Sequence, residues 1–217
     1  MAAPAPGLLV GIIFAGYSTF KGEGHGDDWN LTSSCDGDAF MNAASSEPLS
    51  PVLREITGTY WVSRTFSLRF EIWSAEVTLR PEVRAKGIIS DEHDAHARHW
   101  AAFCGNEMVA AARMCVHTNQ EECPDAPAFT EICLPTPVAT LNRLVVHPSF
   151  RNRGFGSELC HCRIEGAKTD GAKCVVGTYT DQRVASLEKC GLRLTGQKWI
   201  LNHSESLTIV HAMVLEF

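Results

Sequence analysis

"RLVVHPSFRNRGFGSEL" runs from Arg143 to Leu159. It begins as a β-branched apolar run, passes Pro148, enters a basic turn spaced by Gly154 and Gly156, and continues as a stretch that reads as helix. A strand, a bare-backbone turn and a helix start, in that order and flanked by arginines, suit an anion. Glycine has no Cβ, so the backbone can take positive φ and approach a ligand closely. The first amides of a helix lack intrahelical acceptors and lie at the positive end of its dipole. Arg151 and Arg153 add cations for charge-assisted contacts to phosphate. The same residues also read as a solvated basic loop, and both readings stand at this point.

Working outward, the 217 residues are 45% hydrophobic and 20% charged, with a formal net charge of −6. That length supports one domain with a substantial core. The acidic balance argues against broad electrostatic binding of nucleic acid and turns a local basic turn toward a small anionic ligand. Nine cysteines, an odd number, include no Cys-x-x-Cys pair, so neither a disulfide framework nor a zinc site is expected. They read as reduced, mostly buried thiols. Gly7 to Tyr17 has the length of a secretory apolar region, but no Lys or Arg precedes it, and it is short for a membrane span. Asn30-Leu31-Thr32 and Asn202-His203-Ser204 match glycosylation triplets. The expectation is a cytoplasmic protein with no membrane partner, with secretion or organelle import as the alternative.

Residues 1–55 are rich in Gly, Ser, Ala and Asp without a sustained period, and read as a poorly ordered extension. Residues 56–217 form the regular domain. Glu55 to Ser63 is rich in strand formers. Arg64 to Val77 predicts a helix with Phe66, Phe70, Trp73 and Val77 on one core face. Arg98 to Cys104 and Met108 to Val116 predict a hairpin across Gly105-Asn106. A Pro- and acid-rich loop, Thr118 to Pro137, leads into the strand Val138 to His147. Then follow a helix (Gly156 to Lys168) stopped at Asp170-Gly171, and a strand (Lys173 to Thr180). A helix capped by Asp181 and ended by Gly191 comes next, with two closing strands. A mixed α/β order of this kind, without a repeated βα array, favours neither a barrel nor a doubly wound sheet.

Among phosphate sites, a P-loop needs Gly-x-x-x-x-Gly-Lys-Ser/Thr, and no Lys follows here. A dinucleotide turn needs a third Gly where Leu159 stands. A coenzyme A pyrophosphate turn remains. Here the chain resembles the GNAT N-acyltransferases. The motif Arg-x-x-Gly-x-Gly (Arg151, Gly154, Gly156) follows its strand, "SLEKCGL" (Ser186 to Leu192) resembles the family's ending of the next helix, and "HAMVLEF" its last strand. The resemblance spans Glu55 to Phe217. A narrower likeness, to the branch holding acyl-homoserine-lactone synthases and acetyltransferase-like relatives, rests on "LRFEIWSAE", on Asp91, Asp94, Ala97 and His99, and on Arg113.

This resemblance implies an α/β fold of α+β type: a mixed, mostly antiparallel sheet flanked by helices and splayed at the acyl-CoA site. The splay falls between Asn142–His147 and Lys173–Thr180. The backbone of Leu144, Val145 and Val146 would hold the pantetheine arm, and one amide there would polarise the thioester. Arg151, Asn152, Arg153, Gly154, Phe155, Gly156 and Ser157 would hold the pyrophosphate. Acetyl-CoA is the implied co-substrate, without a metal, and a primary amine attacks directly once deprotonated. Asp91, Glu92 and Asp94 are the candidate bases, with Glu71 and Arg113 on the acceptor side; a solvated acidic surface is the plain alternative. His147 could reach the thioester or be an ordinary strand-end histidine. The family's thiolate-protonating Tyr is replaced by Leu187, with Tyr179 nearby. The acidic approach loop suits a cationic acceptor, a small molecule or a Lys side chain. A non-catalytic acyl-CoA-binding module is the competing function, and a homodimer is an open option.

Overall fold

Seven strands form one sheet in the order β1-β2-β3-β4-β5-β7-β6. A computed structural model describes residues 51–201 and 208–217. The strands are β1 (Val52–Ile56), β2 (Arg98–Cys104), β3 (Glu107–His117), β4 (Val138–Val146), β5 (Cys174–Tyr179), β6 (Arg193–Leu201) and β7 (Thr208–Glu216). The helices are α1 (Thr59–Glu76), α2 (Pro81–Lys86), α3 (Phe155–Thr169) and α4 (Asp181–Glu188). Every pairing is antiparallel except β4 with β5. The expected mixed, mostly antiparallel sheet flanked by helices is therefore present.

β3 explains the layering. Its residues from Met108 to Cys115 are all buried, as a strand covered on both faces requires. Ala110, Ala112 and Met114 join Leu159, Cys160, Ile164 and Ala167 of α3 in the largest core cluster. Ala111 faces the other way, with Leu68 and Ile72 of α1. Alternation of side chains makes these opposite sides of the sheet. Small alanines let both helices come close. At Gly166 an added Cβ would lie 2.9 Å from the ring of Trp100.

Several expectations shift. The strand predicted over Glu55 to Ser63 ends at Ile56, opposite His99, and α1 begins at Thr59. Gly58, at φ 83, makes the break, and a helix takes the aromatic, β-branched run that follows. The expected boundary at residue 55 falls inside β1; the rest of the N-terminal extension, the Gly7–Tyr17 run and both glycosylation triplets lie outside the described residues. The buried stripe of α1 is Thr65, Leu68, Arg69 and Ile72 rather than the aromatic face, because part of the sheet beneath it is polar. The N-cap of α4 is Thr180, and Asp181 is its first residue, hydrogen-bonded to His211. The expected loop between β3 and β4 carries apolar residues into the core: Cys123, Ala128, Phe129 and Leu134 pack on Val138, Cys174, Val176, Ala212 and Val214. By strand alternation this is the α1 side of the sheet.

Candidate active site

β4 and β5 stay together for three residue pairs, Val138 with Cys174, Ala139 with Val175 and Thr140 with Val176. Beyond them β4 continues against β3 alone and β5 against β7 alone. β4 also carries a bulge: Arg113 pairs with Asn142 and Ala111 with Val145, so Arg143 and Leu144 stand opposite Ala112. Arg143 takes the left-handed conformation there, at φ 55, which a non-glycine residue adopts only where its surroundings compel it.

Parting strands leave carbonyls without ladder donors, and buried carbonyls need partners. The hydroxyl of Tyr179 donates to the Leu141 carbonyl at 2.9 Å. Tyr179 folds back over Gly177, where an added Cβ would meet the hydroxyl at 2.3 Å. From α3, the fully buried Arg163 donates to the carbonyls of Arg113 (3.2 Å), Asn142 (3.4 Å) and Leu159 (3.0 Å). Burial drives the Tyr179 phenol's pKa up and lowers that of Arg163. Tyr179, noted in the sequence only as a neighbour of the missing Tyr position, and Arg163, which no motif marked, brace the apex of the gap.

The motif turn closes the far end. Asn152 (φ 60) and Gly154 (φ 91) are left-handed, and Gly154 caps α3, accepting from the amides of Ser157 at 2.9 Å and Glu158 at 3.1 Å. Among the described residues, the amides of Asn152 through Gly156 donate to no backbone carbonyl. Phe155 is buried as the anchor of the turn. Arg151 donates to the Val146 carbonyl at 3.1 Å and pairs with Glu76, while Arg153 lies over the Phe150 ring. Arg183 of α4 also reaches this turn, its guanidinium 2.8 Å from where a Cβ on Gly156 would be; nothing in the motif pointed to it. His147 accepts from the Ser149 amide at 3.3 Å.

On the α1 side of the bulge sits a charge cluster. Asp91 binds both Arg113 and Arg143, with Arg143 Nη2 at 2.6 Å and Nε at 3.2 Å. Asp94 binds Arg69 at 2.8 Å and Arg113 at 3.0 Å, and its other oxygen caps the Asp91 amide. Asn142 accepts from Arg113 Nε at 2.7 Å. Desolvation pushes both aspartates up, but the arginines outweigh it and hold each below the ordinary carboxylate range. A carboxylate held that low is a weak proton acceptor. Glu92 is exposed, 3.8 Å from His93. Glu71 lines a shallow cleft with Glu107 and His147, which includes none of these aspartates. Arg69, Arg113 and Arg143 thus neutralise Asp91 and Asp94, two carboxylates of the acidic run from which a cationic acceptor was expected.

A different carboxylate behaves differently. Asp125, in the segment between β3 and β4, accepts from the Thr178 hydroxyl at 3.1 Å. Burial raises its pKa, opposed by the Thr178 hydrogen bond and by Arg143. Thr178 lies on β5 beyond its last parallel pair, so Asp125 borders the gap. Sequence reading missed it because it sits in a Pro-rich loop without a motif. Leu187 is buried in the core, which leaves no hydroxyl at the family's usual Tyr position. Among the described residues, no three His, Cys, Asp or Glu side chains cluster as metal ligands.

The model of the acetyltransferase (GNAT) family matches residues 59–192. No curated protein sequence matches the chain. Among solved structures it is similar to an N-acetyltransferase from Lactobacillus plantarum, at 14% identity over 77% of this chain and 98% of that one, with a TM-score of 0.57. It is similar to a GNAT-family acetyltransferase from Streptococcus pneumoniae, at 15% identity over 77% and 99%, with a TM-score of 0.55. It also resembles Arabidopsis thaliana NAA60 in complex with acetyl-CoA, at 12% identity over 77% and 99%, with a TM-score of 0.54.

Proposed function

The chain belongs to the acetyltransferase (GNAT) family, and from that premise we propose that it transfers an acetyl group from acetyl-CoA to a primary amine by direct attack on the thioester. Membership makes it an acyltransferase using a coenzyme A derivative; the acetyl group, the amine and the mechanism are the finer reading. The observation that carries it is the parting of β4 from β5 after Thr140 and Val176, in a gap that leads to the unpaired amides of residues 152–156. Pantetheine is assigned to the open edge of Leu144, Val145 and Val146, with the Leu144 amide on the thioester oxygen. The pyrophosphate is assigned to residues 151–157.

Attack requires a neutral amine. Asp91 and Asp94 serve as positioning residues that fix Arg113 and Arg143, and Asp125 is assigned the proton. The amine lone pair then forms the C–N bond, the nitrogen of the tetrahedral intermediate gives its extra proton to solvent, and on collapse the C–S electrons leave with coenzyme A as thiolate. Solvent can protonate that thiolate, so Leu187 does not block the reaction, and Tyr179 acts as the spacer of the gap. The test is thiol release from acetyl-CoA with a panel of primary amines, with the acetylated product identified by mass. Acetyl-CoA binding without release to any amine would instead favour the binding-module reading, which the hydroxyl-free Leu187 position also suits.

A further inference from the structure

We propose that the acceptor is a zwitterionic amino acid, its carboxylate held by Arg143 and its ammonium facing Asp125; this rests on the acyl-transfer reading. Arg143 is anchored without being saturated. Its Nε and Nη2 are spent on Asp91, its guanidinium lies 5.8 Å from the Trp73 ring centroid, and its side chain keeps 29% exposure. Among the described residues, Nη1 has no hydrogen-bond acceptor. A guanidinium fixed in this way presents its free edge at little entropic cost and matches a carboxylate in shape and charge.

Placement supplies the second half. Arg143 sits on the β4 side of the gap, next to Leu144, whose amide is assigned to the thioester. Asp125 and Thr178 border the β5 side. Alternation along β5 puts Thr178 on the α1 side of the sheet, and the contacts of Arg143 with Asp91 and Trp73 put its guanidinium on the same side. An amino acid carries the two charges that complement such a pair. A polyamine would set its second ammonium against Arg143, in a cluster of three arginines and two aspartates; a lysine side chain offers Arg143 no carboxylate.

The experiment compares matched acceptors on the full chain: alanine with ethylamine, phenylalanine with phenethylamine, and glutamate, beside putrescine and a lysine peptide capped at both ends. Thiol release gives kcat/KM, and calorimetry gives the acetyl-CoA Kd. The expected result is a preference for the amino acid over its decarboxylated partner of about tenfold or more. Arg143→Ala should raise the amino-acid KM by about 10- to 100-fold with the acetyl-CoA Kd unchanged, and Arg143→Lys should recover part of it. Should Arg143→Ala not fold, Arg143→Lys and Arg143→Gln carry the same comparison. Equal or better turnover of the amines, putrescine or the peptide overturns the proposal and leaves acyl transfer intact. Bound acetyl-CoA with no carboxylate-bearing amine acetylated also overturns it. Failure to bind acetyl-CoA removes the acyl-transfer reading and this proposal together.

Discussion

Asp91 carries two arginines on one carboxylate, and its protonation is linked to folding. Its folded pKa lies below the unfolded value of about 4. The stability it contributes is fully present above that value and is lost as pH falls through the folded pKa. Asp91→Asn should therefore cost about 3–5 kcal/mol at neutral pH, and the gap from wild type should close as denaturant titrations move below about pH 4. Asp125 has the opposite sign. If it takes the acceptor's proton, kcat/KM rises as Asp125 ionises. Asp125→Asn should remove that limb. Thr178→Val deletes the hydroxyl that favours the ionised form and should move the limb to higher pH; a limb unmoved by either change would exclude Asp125. The turn glycines announced themselves in the sequence because positive φ restricts residue type. The cluster did not, because it joins positions 69, 91, 94, 113 and 143, and no local period encodes meetings between such distant residues.

At the scale of elements, the gap is held open by contacts across it. Gly177→Ala puts a methyl into the Tyr179 hydroxyl and should cost about 1–3 kcal/mol; in a Tyr179→Ala background that cost should vanish, a coupling that a double-mutant cycle of unfolding free energies reads directly. Gly166→Ala tests helix packing. Alanine favours a helix by about 1 kcal/mol over glycine, yet its Cβ would meet Trp100 at 2.9 Å. A net loss of thermal stability is expected, and a gain would show that α3 and β2 yield freely. Strands β2 to β5 and α3 were legible because their apolar runs are bounded by Gly, Pro and Asp. The start of α1 was not, since Thr59 to Ser63 is made of strand formers and only the exhaustion of β2 as a partner, with Gly58, turns it helical. Nor was its buried face: Thr65 and Arg69 lie inward, Arg69 bound to Asp94, where hydropathy assigns the aromatics.

For the whole molecule, a net charge of −6 coexists with arginines gathered at the bulge and the turn. Overall charge sets long-range behaviour, whereas a ligand responds to the few groups it touches. The pyrophosphate of coenzyme A is assigned to the turn after β4. The direct measurement is calorimetric titration of acetyl-CoA into wild type and into Gly154→Asp, Gly156→Asp, with circular dichroism to establish that both are folded. Asp tolerates the left-handed conformation at residue 154 but sets negative charge among the open amides. Micromolar binding by wild type and none by the double variant is expected. Equal binding by the two proteins, or none by wild type, would remove the pyrophosphate from this turn.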